Sequence, residues 1–407
     1  MMECEDRSAR ASAYAEKLAR MIRVRTVQEP GNAQSFEDFH ALLEELFPAV
    51  FERCELKMFG DDGGSLLFCW RSTLADEEKQ PALLLMSHQD VVDAEGPWTY
   101  EPFGGEIAEG RVWGRGTLDI KGNLLCILQA LEELIEAGFS PAFDIYVASS
   151  DCEEIGGNDL VPSYLKEQQV DIDLLVDEGP CVVHSEDGSL IAQVAVAEKG
   201  QAIFKCSAFG PGGHAMNVGK NTPLVRLGAF MAEVDAVNLF EGDARPDLLD
   251  ASGTTVAFTM AGASSVPNVV PREAWAVCDV RLAPGRTVES AREVLETIAK
   301  RHDVEVTLDK STPPSLVSDT SGYAYAQVER AISSVYPEAE PRAVLLSGGT
   351  DTKHFTEVAP CCIRFTPMLF SAEQTATIHG IDENIDCAAL PFGVDFFKTL
   401  IEDRMSR

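Results

Sequence analysis

Three stretches decide how this chain is read: LLLMSHQDVV (83–92), GRGTLDIKG (114–122) and SSDCEEIGG (149–157). Each sets polar side chains after an apolar run or inside a glycine-rich turn. His88 and Asp90 follow Leu83, Leu84, Leu85 and Met86. Asp119 lies between Gly116 and Gly122. Glu153 and Glu154 follow the run Ile145, Tyr146, Val147, Ala148 and precede Gly156 and Gly157. Short apolar runs of this kind predict strands buried on both faces. Ionisable groups at their ends, with glycines beside them, point to a site on the carboxyl edge of a parallel sheet.

Working outward, strand and helix patterns alternate. Leu124, Leu125, Leu128, Leu131, Leu134 and Ile135 fall at helical spacing and predict a helix over 122–137, stopped by Gly138. Segments 144–149 and 174–176 read as further strands. The order implies an α/β fold with a mostly parallel sheet covered on both faces. Near residue 199 the pattern changes. Segments 201–209, 254–260 and 274–282 alternate apolar and polar residues, as strands with one wet face do. Helices are predicted over 224–234 and 288–300, and a last strand over 304–308. That βαββαβ order is the split, ferredoxin-like type. The chain therefore divides into a first part of a catalytic domain (1–198), an inserted domain (199–310) and a second catalytic part (311–407). STPPSLVSD (311–319) reads as a turn-rich linker, and closing helices are predicted over 324–335 and 392–402.

Composition narrows the function classes. The 407 residues carry 33 Lys+Arg against 66 Asp+Glu, a formal charge of −33. Nucleic acid and anionic membranes need basic patches, so neither is an expected partner. No apolar run approaches the ~20 residues of a membrane span. The segment MMECEDRSARASAYAEK is charged, has no apolar stretch of a secretory signal and reads as the start of a helix. There are 11 cysteines and no CxxC pair. Reduced, mostly buried thiols in a cytoplasmic protein are expected.

Hydrolysing an amide at neutral pH requires a good nucleophile, a proton shuttle and a group to hold the oxyanion. Two zinc ions ~3.5–4 Å apart supply the first and last of these. Such a pair needs one bridging carboxylate and further nitrogen or oxygen ligands on each ion. His88, Asp119, Glu154, Asp177 and His379 offer that set. No thiolate belongs to it, which favours a catalytic site over a closed structural one.

These ordered motifs, with EGPWTYEPFGGEI, GRVWGRGTLDIKG, GPGGHA, DTKHF and IHGIDENI, make the chain resemble the zinc-dependent aminoacylase/carboxypeptidase family. Its members include glutamate carboxypeptidase, acetylornithine deacetylase and succinyl-diaminopimelate desuccinylase. The carboxypeptidase S-like branch is the nearest, and the resemblance covers nearly the whole chain. It implies two divalent ions, zinc first, with cobalt or manganese as alternatives. By resemblance, His88 and Asp177 are ligands of one ion, Glu154 and His379 of the other, and Asp119 bridges them. Asp90 orients His88, and Glu153 is the general base. His214, in GPGGHA, reaches the reacting carbonyl, and Asn268 is a second polar contact. Arg281 holds the free carboxylate of an amino-acid moiety. Gly348 and Gly349 let the backbone approach the substrate. The inserted domain mediates a homodimer, and the Asp119–Ile120 peptide is cis.

The activity so implied is hydrolysis of an amide to a C-terminal amino acid with a free carboxylate, in a dipeptide, short peptide or N-acyl amino acid. Alternatives are deacylation of another N-acylated amine and a non-catalytic metal-binding protein on the same fold. The chain departs from the family pattern at Cys152, where many relatives carry an acid, and at Ile120. His184 and His302 read as ordinary residues, and His354 is left outside the site.

Overall fold

The computed structural model describes residues 2–404 apart from 62, 218, 238, 241, 244–247 and 249–252. The chain forms two compact units. One comprises Met1–Val196, Ser318–Ala343 and Thr350–Arg407; the other comprises Ala197–Val317 and Val344–Gly349.

The first unit is built on the apolar runs. Gln80–Met86, Phe143–Ser149, Ile172–Asp177 and Cys362–Arg364 are adjacent strands, paired in parallel. Phe143–Ser149 is buried at every position, so its sequence does not alternate. The flanks turn antiparallel: Ser65–Trp70 and then Glu55–Phe59 on one side, Leu190–Glu198 on the other. Registers Met86↔Ala148 and Leu85↔Val176 bring the carboxyl ends of the three strands to one level. That level carries the motif residues.

Helix Lys121–Glu136 is buried over most of its circumference and packs against Leu390–Asp403. The gap in its wet face explains its leucine-rich sequence. The helix Met2–Ile22 follows the N-terminal reading. No described helix is long and apolar enough to cross a membrane.

The second unit has an antiparallel sheet in the order Thr255–Gly262, Glu273–Leu282, Gly200–Phe209, Glu305–Thr312. Helices Pro223–Ala236 and Val288–His302 pack with it. Ala274, Ala276, Cys278, Val280 and Leu282 are buried while the residues between them are partly exposed. Phe204, Phe230, Leu295 and Ile298 fill the core with them. Thr287 caps the second helix, its hydroxyl accepting from Ser290 N at 3.1 Å. The strand ending at Thr312 takes in Ser311 and Thr312, the first two residues of the turn-rich stretch 311–319. Gly348 and Gly349 belong to this unit, although by sequence order they fall within the second catalytic part, 311–407.

Candidate metal centre

His88 lies two residues beyond the strand Gln80–Met86 and is 3% exposed. Its Nδ1 is 2.9 Å from the Asp90 carbonyl oxygen. A carbonyl only accepts, so Nδ1 carries a proton, and Nε2 is the nitrogen turned toward the carboxylates. That nitrogen is 3.0 Å from Asp119 Oδ1 and 3.3 Å from Glu178 Oε1. On the other side, His379 Nε2 is 3.0 Å from Asp119 Oδ2 and 3.1 Å from Glu154 Oε2. The two oxygens of Asp119 thus serve two different trios: His88–Asp119–Glu178 and Asp119–Glu154–His379.

The donor set fits two divalent cations. Ligand atoms ~2.0–2.1 Å from one tetrahedral ion lie about 3.3 Å apart, close to the imidazole–carboxylate distances of 3.0–3.3 Å in each trio. The charge balance points the same way. Burial, with the charge of Glu178 beside it, pushes the Glu153 carboxyl up to about 9. Burial likewise pushes Glu178 up to about 8, against the pull of His88. Hydrogen bonds to Asp119 and Glu154 raise His379 to about 10. Burial works to raise Asp119, but bonds from His379 and His88 outweigh it and hold it below the usual carboxylate range. Carboxylates crowded this closely need positive charge that the two imidazoles only partly provide.

Asp90 is fully buried. Its carboxylate accepts from Glu153 N at 3.2 Å and Glu154 N at 3.1 Å, while its distance to His88 Nδ1 is 3.4 Å. It therefore holds the Glu153–Ile155 turn, and its backbone carbonyl orients His88. The Asp119–Ile120 peptide is cis.

Asp177 does not join the cluster. It is the last residue of its strand, and its carboxylate accepts from Thr352 Oγ1 at 2.6 Å, Thr352 N at 3.2 Å and Glu178 N at 2.9 Å. Glu178, one residue past the strand end, turns to His88 instead. The acidic pair in LLVDEG carried the signal, but choosing between its members required knowing where the strand ends. Sequence reasoning also missed Asp351, bonded to the Ser150 hydroxyl, and Glu383, which accepts from Gly116 N, Leu118 N and Asp119 N. His354 sits outside the cluster, with Nδ1 2.6 Å from Asp159 and Nε2 3.1 Å from the Gly156 carbonyl.

The remaining candidates lie in the second unit. His214 is on the short strand Gly213–His214, paired with Val269–Val270, and Ala215 N donates to the Asn268 carbonyl at 3.0 Å. Both His214 and Asn268 are exposed. Arg281 lies opposite Gln201 and pairs with Asp279 at 3.1 Å. A Cβ at Gly348 or Gly349 would meet no heavy atom within 4 Å, so nothing packed against them demands glycine.

The model of peptidase family M20/M25/M40 matches residues 84–403. This chain belongs to that family. It is a metal-dependent hydrolase, of the metallopeptidase/carboxypeptidase or N-acyl-amino-acid hydrolase kind. It is 28% identical to a probable carboxypeptidase S-like protein of Dictyostelium discoideum, over 96% of this chain and 84% of that one. Identity to a human N-fatty-acyl-amino acid synthase/hydrolase is also 28%, over 96% and 88%. Carboxypeptidase S of Saccharomyces cerevisiae is 24% identical, over 91% and 80%. Among solved structures, an M20 metallo-carboxypeptidase of Sulfolobus solfataricus aligns with a TM-score of 0.72 at 16% identity, covering 96% of this chain and 98% of its own. A dinuclear metal-binding M20 peptidase of Bacillus subtilis aligns at 0.65 and 14%, covering 97% and 99%. These likenesses establish the shared M20 fold.

Proposed function

We propose that this M20 hydrolase cleaves the amide bond to an amino acid with a free carboxylate, in a dipeptide, a short peptide or an N-acyl amino acid. The observation that carries the reading is the two-sided engagement of Asp119, one oxygen to each trio. His88, Asp119 and Glu178 would hold one divalent ion, and Asp119, Glu154 and His379 the other. Glu178 takes the place that the sequence gave to Asp177. Zinc suits imidazole and carboxylate ligands, and cobalt or manganese would fit the same donors. Bound there, the ions would supply Lewis acidity and lower the pKa of water.

Glu153 stands beside this centre with its backbone fixed by Asp90. Positive charge next to it favours its ionised form, so that it takes a proton from water and returns it to the leaving amine. His214 and Asn268 contribute polar contacts to the substrate. Arg281 recognises its carboxylate with the planar fork that suits such a group. Gly348 and Gly349 remain part of the substrate-binding proposal through their unencumbered backbone. The names of the relatives favour peptide and N-acyl-amino-acid amides over other N-acylated amines.

A panel of dipeptides and N-acyl amino acids tests this, each assayed beside its carboxamide-blocked analogue, with and without chelator and added zinc. Chelator-sensitive release of an amino acid from the free carboxylates alone is expected, and Arg281→Ala should raise KM for those substrates. Turnover that survives chelation, or equal turnover of blocked analogues, would overturn the reading. The same reading includes a homodimer through Thr255–Gly262, an edge strand of its sheet with largely exposed residues. Light scattering should give twice the 44.2 kDa chain mass; a single-chain mass would remove the dimer from the proposal.

A further inference from the structure

Two loops frame the Asp119–Glu154–His379 trio. One, 114–120, carries Asp119; the other, 379–383, begins at His379. Glu383 joins them and has no exposed surface. Its Oε1 accepts from three successive parts of the first loop: Gly116 N at 3.1 Å, Leu118 N at 2.8 Å and Asp119 N at 3.2 Å. Its Oε2 meets Arg115 Nη1 at 2.5 Å. The other end of that guanidinium, Nη2, donates to the Gly380 carbonyl at 2.9 Å. Gly114 N closes the frame on the Glu383 carbonyl at 2.9 Å.

The contacts of Glu383 and Arg115 run to the loops of Asp119 and His379 rather than to His88 or Glu178, although Asp119 itself belongs to both trios. His88 and Glu178 follow paired parallel strands by two residues and by one, so the sheet places them. His379 stands in an irregular loop, with φ +59°, beside Gly380. The register Asn384↔Trp113 joins the two loops only at their bases, five residues from His379 and six from Asp119. Nearer the centre the path Asp119 N–Glu383–Arg115–Gly380 holds them, through charge-assisted bonds from a planar donor that reaches two acceptors at fixed spacing. Arg115 is itself 2% exposed and stands over the Trp98 ring at 5.3 Å, which limits its freedom to turn. A buried pair of this kind secures geometry more than stability.

We propose that Glu383, acting through Arg115, is a positioning residue that sets the Asp119–His379 separation and so the affinity of one metal position, leaving the His88–Glu178 position to the sheet. This rests on the two-ion reading above. It adds a residue that does not touch the ion and predicts an unequal effect on the two positions.

Calorimetric titration of chelator-stripped protein with Zn2+, repeated with Co2+ to follow its visible absorption, separates the two claims. The unsubstituted protein should take up two ions per chain; uptake of none or one would defeat the two-ion reading itself. Glu383→Gln should keep one ion at the original affinity and bind the other about ten-fold or more weakly, within the range for partners of ligands. Arg115→Lys retains charge beside Glu383, but one ammonium head does not span Glu383 and Gly380 with the same fork. It should show the same selective weakening in a chain with unchanged circular dichroism, and serves if the first variant does not fold. Two ions at original affinity in a folded variant, or equal weakening of both, would overturn the proposal. So would loss of folding in both variants, which would assign the pair to stability instead.

Discussion

Asp177 and Glu178 are adjacent acids with different tasks, and the end of one strand divides them. A residue inside a strand projects toward a face of the sheet, whereas the next one is free to turn over its edge. Asp177 accordingly fastens the Thr352 turn, and Glu178 meets His88. Glu178→Gln should therefore cost one of two bound ions. Asp177→Asn should retain both, with stability lowered by about 1–3 kcal/mol as Thr352 loses a charged acceptor. Metal analysis with denaturant melts of both variants distinguishes the roles; retention of two ions by Glu178→Gln would return the assignment to Asp177. Glu153→Gln should lower kcat by about 10²–10⁴-fold with metal content unchanged. Unchanged turnover would remove Glu153 as general base.

At the scale of elements, the turn 153–157 shows how a short segment is made exact. Asp90 takes its first two N–H groups, and His354 reaches the Gly156 carbonyl. Gly157 closes it with φ +70°, and a Cβ there would fall 2.1 Å from Asp351 Oδ1. Both conformation and space exclude a side chain. Gly157→Ala should destabilise the protein by about 1 kcal/mol or more. If the turn shifts by an ångström, kcat should fall by about 10²-fold. Normal kinetics in this variant would show that the turn tolerates displacement. The motif SSDCEEIGG made the turn legible, but the contact with Asp351 was not: about two hundred residues separate the partners in sequence.

At the scale of the first unit, stability has an acid limb. Glu133, on the long central helix, accepts from Lys398 Nζ at 2.8 Å, Gln129 Nε2 at 3.1 Å and the Tyr14 hydroxyl. Burial acts to raise its pKa, but these donors prevail and hold it below the ordinary value. A depressed folded pKa means that the unfolded chain binds the proton more readily. The contribution is complete above the unfolded value of ~4.3 and is lost as pH falls from there through the folded pKa. Glu133→Gln should cost about 1 kcal/mol at pH 7 and flatten the fall of stability below about pH 4.3. Urea midpoints across that range check it; parallel curves for both proteins would exclude Glu133 as a source of the acid limb.

The sequence by itself determined the α/β class, the parallel strands under the site and the βαββαβ order of the second unit, because apolar periodicity and strand-end motifs are local. It also marked His88, Asp119, Glu154, Asp177 and His379 as a ligand group, with Glu153 beside it. Antiparallel flanks, the exact end of Ile172–Asp177 and the allegiance of Gly348 and Gly349 depended on tertiary structure. So did the partners of Asp119. Its oxygens meet histidines 31 positions earlier and 260 positions later in the chain, and only folding brings these to 3.0 Å on either side. Local pattern records which residues want burial or a turn; which atoms share one cation is fixed by distances that long-range packing alone sets.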